Sequence, residues 1–137
     1  MWWVYALLSA LFAALTAIFA KVGIKGVDSD LATAIRTIVI LVIAWGLAFF
    51  RGATSSIHTL TKQNILFICL SGIATGLSWI FYFRALQLGK VSQVAPVDKL
   101  SVALVIILSV LFLGEPLTLK TSVGAVLIIA GTVVLIL

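Results

Sequence analysis

Five long apolar runs constrain this chain more than any other feature. They cover residues 2–20, 31–50, 65–88, 92–113 and 121–137. An α-helix rises 1.5 Å per residue, so about 20 apolar residues cross a hydrocarbon core of about 30 Å, and each run approaches or reaches that length. Only 9% of the residues are charged while 64% are hydrophobic, against roughly 25% charge in a soluble domain. A soluble fold is excluded. The chain reads as an all-α membrane protein of five transmembrane helices, multi-pass and integral to the lipid bilayer.

The first run opens on Trp2 and Trp3 and closes at Lys21, with tryptophans where headgroups would lie. "MWWVYALLSALFAALTAIFAK" has no basic start, so it reads as the first helix rather than a secretory signal. Ser29 or Asp30 is expected to cap the second helix. "RGATSSIHTLTKQN" is the longest polar connection.

Charge excludes some functions and leaves orientation open. The nine basic residues behind the net charge of +5 are dispersed over loops and helix ends, which gives no nucleic-acid-binding patch. With five spans the two termini fall on opposite faces. Arg51, Lys62 and Lys120 then lie on the face of the amino terminus and Lys21, Lys25 and Lys90 on the other, three against three. A chain able to insert in both orientations shows this balance. Two copies inserted antiparallel would form a ten-helix, inverted-repeat bundle. The expected partner is therefore a second copy, antiparallel favoured, and the expected location a prokaryotic cell (inner) membrane.

Four ionisable residues lie within the spans: Arg36, Arg84, Asp98 and Lys99. Arg36, Arg84 and Lys99 lie about 9 to 14 Å in from Asp30 or Lys90 if the rise is helical. A shared polar layer or ion pair is expected, because each charge costs on the order of 2.5 to 3.5 kcal/mol at a helix centre unless it is paired or wet. Neighbours on a helix diverge by about 100°, so Asp98 and Lys99 cannot both face inward. Two readings stand: Asp98 pairs with Arg84 or Arg36 as a clamp while Lys99 snorkels, or Asp98 or Lys99 lines a pathway and binds substrate or a proton. Pro96 marks either the first turn of the fourth helix or a break that frees a backbone carbonyl.

Small and aromatic residues suggest packing and cavity walls. Gly72 and Gly76 form GxxxG beside Ser71 and Thr75, expected mainly to pack within the bundle. Trp79, Tyr82 and Phe83 make an aromatic stripe. It either fills the core or walls a cavity. Ser9, Ala13 and Ala17 form a small-residue row on the first helix, with Thr16 beside it, and Gly124 and Gly131 lie seven apart on the last. Cys69 is the only cysteine and His58 the only histidine. HExxH, GxSxG and P-loop patterns are absent, so no catalytic residue, metal site or cofactor is assigned and an enzyme is not expected.

The arginine of "LATAIRT", the stretch "WIFYFRALQLGKVSQVAPVDKLSVALVIILSVLFLGEPLT" and the last helix "GAVLIIAGTVVLIL" together resemble a single EamA-type domain of the drug/metabolite transporter superfamily, over residues 1–137. Most relatives carry two such five-helix repeats in inverted orientation, so the resemblance implies that this chain supplies one half of a ten-helix bundle. It also implies a central cavity lined mainly by the first, third and fourth helices, which carries a lining role to Ser9, Thr16, Trp79, Tyr82, Pro96 and Asp98. The related small multidrug exporters rely on a glutamate in their first helix. That helix here has no acidic residue, so their cation/proton antiport chemistry does not carry over. The implied function is transport of a metabolite or drug-like solute by a dimer working through alternating access. Two alternatives stay open: half of a heterodimer that moves a lipid-linked substrate with a paralogous five-helix partner, and a membrane scaffold or accessory subunit that transports nothing.

Overall fold

A computed structural model describes residues 1–137 as helices joined by short turns. In chain order these are α1 (Trp2–Gly23), α2 (Ser29–Phe50), a 3-10 helix (Ala53–Thr59), α3 (Lys62–Leu88), α4 (Val91–Asp98), α5 (Ser101–Leu113) and α6 (Leu119–Ile136). There are no strands. Five segments are long and apolar enough to cross a membrane, with α4 and α5 together forming one of them.

Local side-chain chemistry sets where the helices begin. Asp28, rather than Ser29 or Asp30, caps α2: its carboxylate accepts from the backbone N–H of Asp30 and Leu31 at 2.9 and 3.2 Å. The Thr61 hydroxyl accepts from the Asn64 N–H at 3.1 Å, so α3 starts at Lys62, before the apolar run proper. Thr118 and Thr121 satisfy each other's backbone in a capping box, which starts α6 at Leu119. Each cap satisfies N–H groups that a helix start leaves without partners.

The chain forms two compact units, residues 20–87 and residues 1–19 with 88–137. In the first, the loop after α1 is strapped to the end of α3. The Lys21 ammonium donates to the Leu86 carbonyl, and the Gln87 amide donates to the Val27 carbonyl at 2.7 Å. Ile24, Ser29, Thr33, Phe83 and Leu86 are buried there. The Thr33 hydroxyl returns its proton to the Ser29 carbonyl at 2.8 Å, so its burial leaves no donor unmet.

In the second unit α6 packs against both α4 and α5. Between them Pro96 lies inside α4, which ends two residues later. The Leu100 N–H bonds to the Val97 carbonyl at 3.0 Å, three residues back rather than four. The Pro96 carbonyl is thus passed over by the helix, and the hydroxyl of buried Thr132 on α6, whose proton goes chiefly to the Ile128 carbonyl of its own helix at 2.8 Å, lies 3.3 Å from it as a weaker, shared contact. Of the two readings of Pro96 the structure takes the second: the helix begins at Val91 with the proline in its interior, where the missing N–H leaves the Ser92 carbonyl without its partner, and ends at Asp98.

Side chains elsewhere along the spans are mostly exposed; Phe112, for example, is 80% exposed and Val134 73%. In a chain of this composition those faces suit lipid or another helix rather than water. The GxxxG glycines are equally open. A Cβ added at Gly72 or Gly76 would meet nothing within 4 Å, so the pair does not pack a helix as expected but leaves a furrow in α3.

Candidate functional site

The furrow belongs to a groove within the unit of residues 20–87. It has a volume of about 460 Å³, a size typical of small-molecule sites. From α2 it takes Thr37, Ile40, Leu41, Ala44 and Trp45; from α3 it takes Ile68, Ser71, Gly72, Thr75, Gly76 and Trp79. Thr37 and Trp45 are eight residues apart, which makes the groove about 12 Å long on α2. Its walls are apolar with a few hydroxyls. Two of these have spent their protons on their own helices, Thr37 on the Thr33 carbonyl at 2.8 Å and Thr75 on the Ser71 carbonyl at 2.9 Å. They offer the groove lone pairs rather than donors.

At the Trp79 end lies Arg36. Its guanidinium carbon sits 4.4 Å from the centre of the Trp79 ring and 5.1 Å from that of Phe83, and Phe83 is buried. One face is worth about 0.5 to 2 kcal/mol, against on the order of 2.5 to 3.5 kcal/mol for a charge at mid-membrane. Two rings therefore offset much of that penalty without supplying a hydrogen-bond acceptor of carboxylate strength. The in-plane N–H donors lie at the edge of the guanidinium. No carboxylate of this unit pairs with Arg36; Asp28 is committed to the start of α2.

The other candidates fall in separate places. Arg84 donates to Gln87 on its own helix at 3.3 Å. Asp98 pairs with its neighbour Lys99 at 3.3 Å, with Lys99 the more exposed of the two, just where α4 ends. Within its own unit the partner of Asp98 is Lys99. A lysine at the helix end has the freedom to turn back toward the preceding carboxylate, which a residue mid-helix lacks. Tyr82 stands edge-on to Phe83, ring centres 6.5 Å apart. Ser9 is exposed on α1 and Thr16 is half-buried there, its hydroxyl donating to the Phe12 carbonyl at 2.8 Å. Of the residues expected to line a cavity, Trp79 lines this groove, while Ser9, Thr16, Pro96 and Asp98 belong to the other unit.

Sequence reasoning missed two participants. Trp45 was legible only as one apolar residue among many, and Thr132 only as a polar residue on a glycine-bearing helix. Its type gives no signal for the contact, because a threonine in a helix can satisfy its hydroxyl on the carbonyl four residues back, as Thr132 does on Ile128 at 2.8 Å.

Comparisons with known proteins agree with this architecture. A protein of Sinorhizobium sp. named as an uncharacterized transporter in the cobO 3' region is 50% identical over 134 residues, covering 98% of this chain and 95% of that protein. An uncharacterized protein of Methanocaldococcus jannaschii is 38% identical over 77 residues, 56% of each chain. No solved structure matches. The model of the EamA-like transporter family matches residues 1–137. These names point to a transporter rather than an enzyme, and five apolar spans make the protein integral to the membrane. The chain is a member of the EamA-like transporter family.

Proposed function

We propose that the protein carries a small molecule across a prokaryotic cell membrane as a homodimer, its two copies antiparallel, by alternating access. The groove on α2 and α3 carries this reading: an open furrow of binding-site size, walled by two tryptophans and fringed with hydroxyls, in a spanning segment. Pathways in transporters of this general design run at mid-membrane between paired repeats, and one five-helix repeat supplies half of such a bundle.

Pro96 is the hinge in this mechanism. Backbone freed at a helix break persists at membrane depth only beside protein or water. Here the Thr132 hydroxyl, bonded chiefly to Ile128 on its own helix, lies 3.3 Å from the Pro96 carbonyl, a contact that can open and close as one repeat rocks on the other. Trp79 lines the groove, Tyr82 stands edge-on to Phe83 beside it, and Ser9, Thr16, Pro96 and Asp98 are further lining residues in this reading. Should flux be driven by a proton gradient, Asp98 is the carboxylate deep in the spans that would carry the proton.

Orientation and flux test this together. Paired reporters fused to the carboxyl terminus, one active on each side of the membrane, should both be active. The purified protein alone in liposomes should exchange a bound solute. A single active reporter removes the antiparallel arrangement. Activity appearing only after a paralogous chain is added replaces the homodimer with a heterodimer, and no flux of any bound solute leaves a scaffold.

A further inference from the structure

The groove and Arg36 together identify a class of substrate. We propose that Arg36 is the anion-binding end of the groove and that the solute is a small amphipathic anion, a carboxylate-type planar oxyanion joined to a flat apolar body. This rests on the reading of the groove as the substrate site.

Three observations support it. The guanidinium is stacked over Trp79, which itself forms part of the groove wall, so the fixed charge adjoins one end of the cavity. Its carbon lies over the Trp79 and Phe83 rings, and it pairs with no carboxylate of the unit. An arginine held against rings rather than by a carboxylate keeps its forked N–H donors for the two oxygens of an incoming carboxylate. Finally, no acidic residue lines the groove. A cationic solute would find no counter-charge there and would meet Arg36 at one end. Beyond that end the walls are indole rings, aliphatic side chains and the open backbone of Gly72 and Gly76, which suit a flat apolar body.

The test uses the full-length protein in phosphatidylcholine nanodiscs and three probes of one shape and different charge: naphthoate, naphthamide and naphthylmethylammonium. Binding is followed through tryptophan fluorescence. Naphthoate should bind about tenfold or more tighter than the amide, with the ammonium weakest. Arg36→Gln should bring naphthoate down to the amide's affinity while leaving the amide unchanged, and Arg36→Lys should fall between. Gly76→Leu fills the furrow, where a Cβ has open space, and should abolish binding of all three probes.

The outcomes separate the two claims. If Gly76→Leu leaves binding intact, the groove is not the site and the reading beneath this inference fails. If Gly76→Leu blocks binding but the ammonium binds as tightly as naphthoate, the groove stands and the anion inference falls. Should Arg36→Gln fail to fold, the charge series on the unaltered protein decides by itself. Complete displacement of naphthoate by added phosphatidylglycerol would make Arg36 a lipid-headgroup anchor and overturn the proposal.

Discussion

Arg36 and the Asp98–Lys99 pair are both charges inside apolar spans, and the two units accommodate them in opposite ways. Arg36 sits well within an unbroken helix and is held by side chains far away in sequence, the rings of Trp79 and Phe83 on α3. Lys99 lies where its helix stops, and its partner is the adjacent residue. The first arrangement is built by tertiary packing and is rigid because Phe83 is buried. The second is local, exposed and placed at a break near which the Pro96 carbonyl has only a weak, shared contact with Thr132. A fixed charge suits binding, and a loosely held break suits motion.

The largest way to break this contrast is Phe83→Ala. Removing a 2% exposed ring should lower stability by about 3 to 5 kcal/mol and leave Arg36 with one stacking partner. Thermal unfolding in detergent measures it, and a loss below about 1 kcal/mol would mean that the rings do not pin the guanidinium. Pro96→Ala comes next. It restores the N–H that bonds the Ser92 carbonyl and should stabilise α4 by up to about 3 kcal/mol. Amide exchange over residues 91–98 should slow, and flux should fall about tenfold or more with probe binding retained, since each 1.4 kcal/mol of bias toward one state is tenfold. Unchanged exchange and flux would remove Pro96 as the hinge.

Thr132→Val keeps the shape and deletes the hydroxyl. It should cost about 1 kcal/mol, read by thermal unfolding in detergent, and leave amide exchange over residues 91–98 unchanged, unlike Pro96→Ala. The smallest effect belongs to Asp98→Asn. An exposed pair contributes about 0 to 1 kcal/mol, so stability should hardly move. Flux driven by a pH gradient is the sharper readout. Its loss with naphthoate binding intact would make Asp98 the proton carrier and assign coupling to the break and recognition to the groove; undiminished coupling would leave Asp98 with only its local pairing.

Much of the fold could be read from the chain and less of the site. The five spans follow from run length alone. The caps were harder, because Asp28, Ser29 and Asp30 are all good N-cap residues and only the backbone dihedrals at Asp28 select among them. Pro96 was legible as a break or a first turn, and the choice depended on whether Lys90 and Val91 were already helical. The GxxxG pair shows the limit of a motif: its spacing allows a close approach, yet whether a neighbour fills that space depends on which helix lies opposite. Arg36 was legible as a charge needing company. Within its own unit that company is a pair of aromatic rings.

The sequence by itself determined that this is a membrane protein of five helical spans, because about 20 apolar residues with little charge have few other stable forms in lipid. It also showed which residues were too polar to sit there without a reason. Only the tertiary structure decided that Arg36 stacks on Trp79 at the end of a groove and that Thr132 reaches the carbonyl of Pro96, 36 residues away. The physical reason is that helical periodicity places a side chain on a face of its own helix. Which faces meet is set by packing between segments distant in the chain.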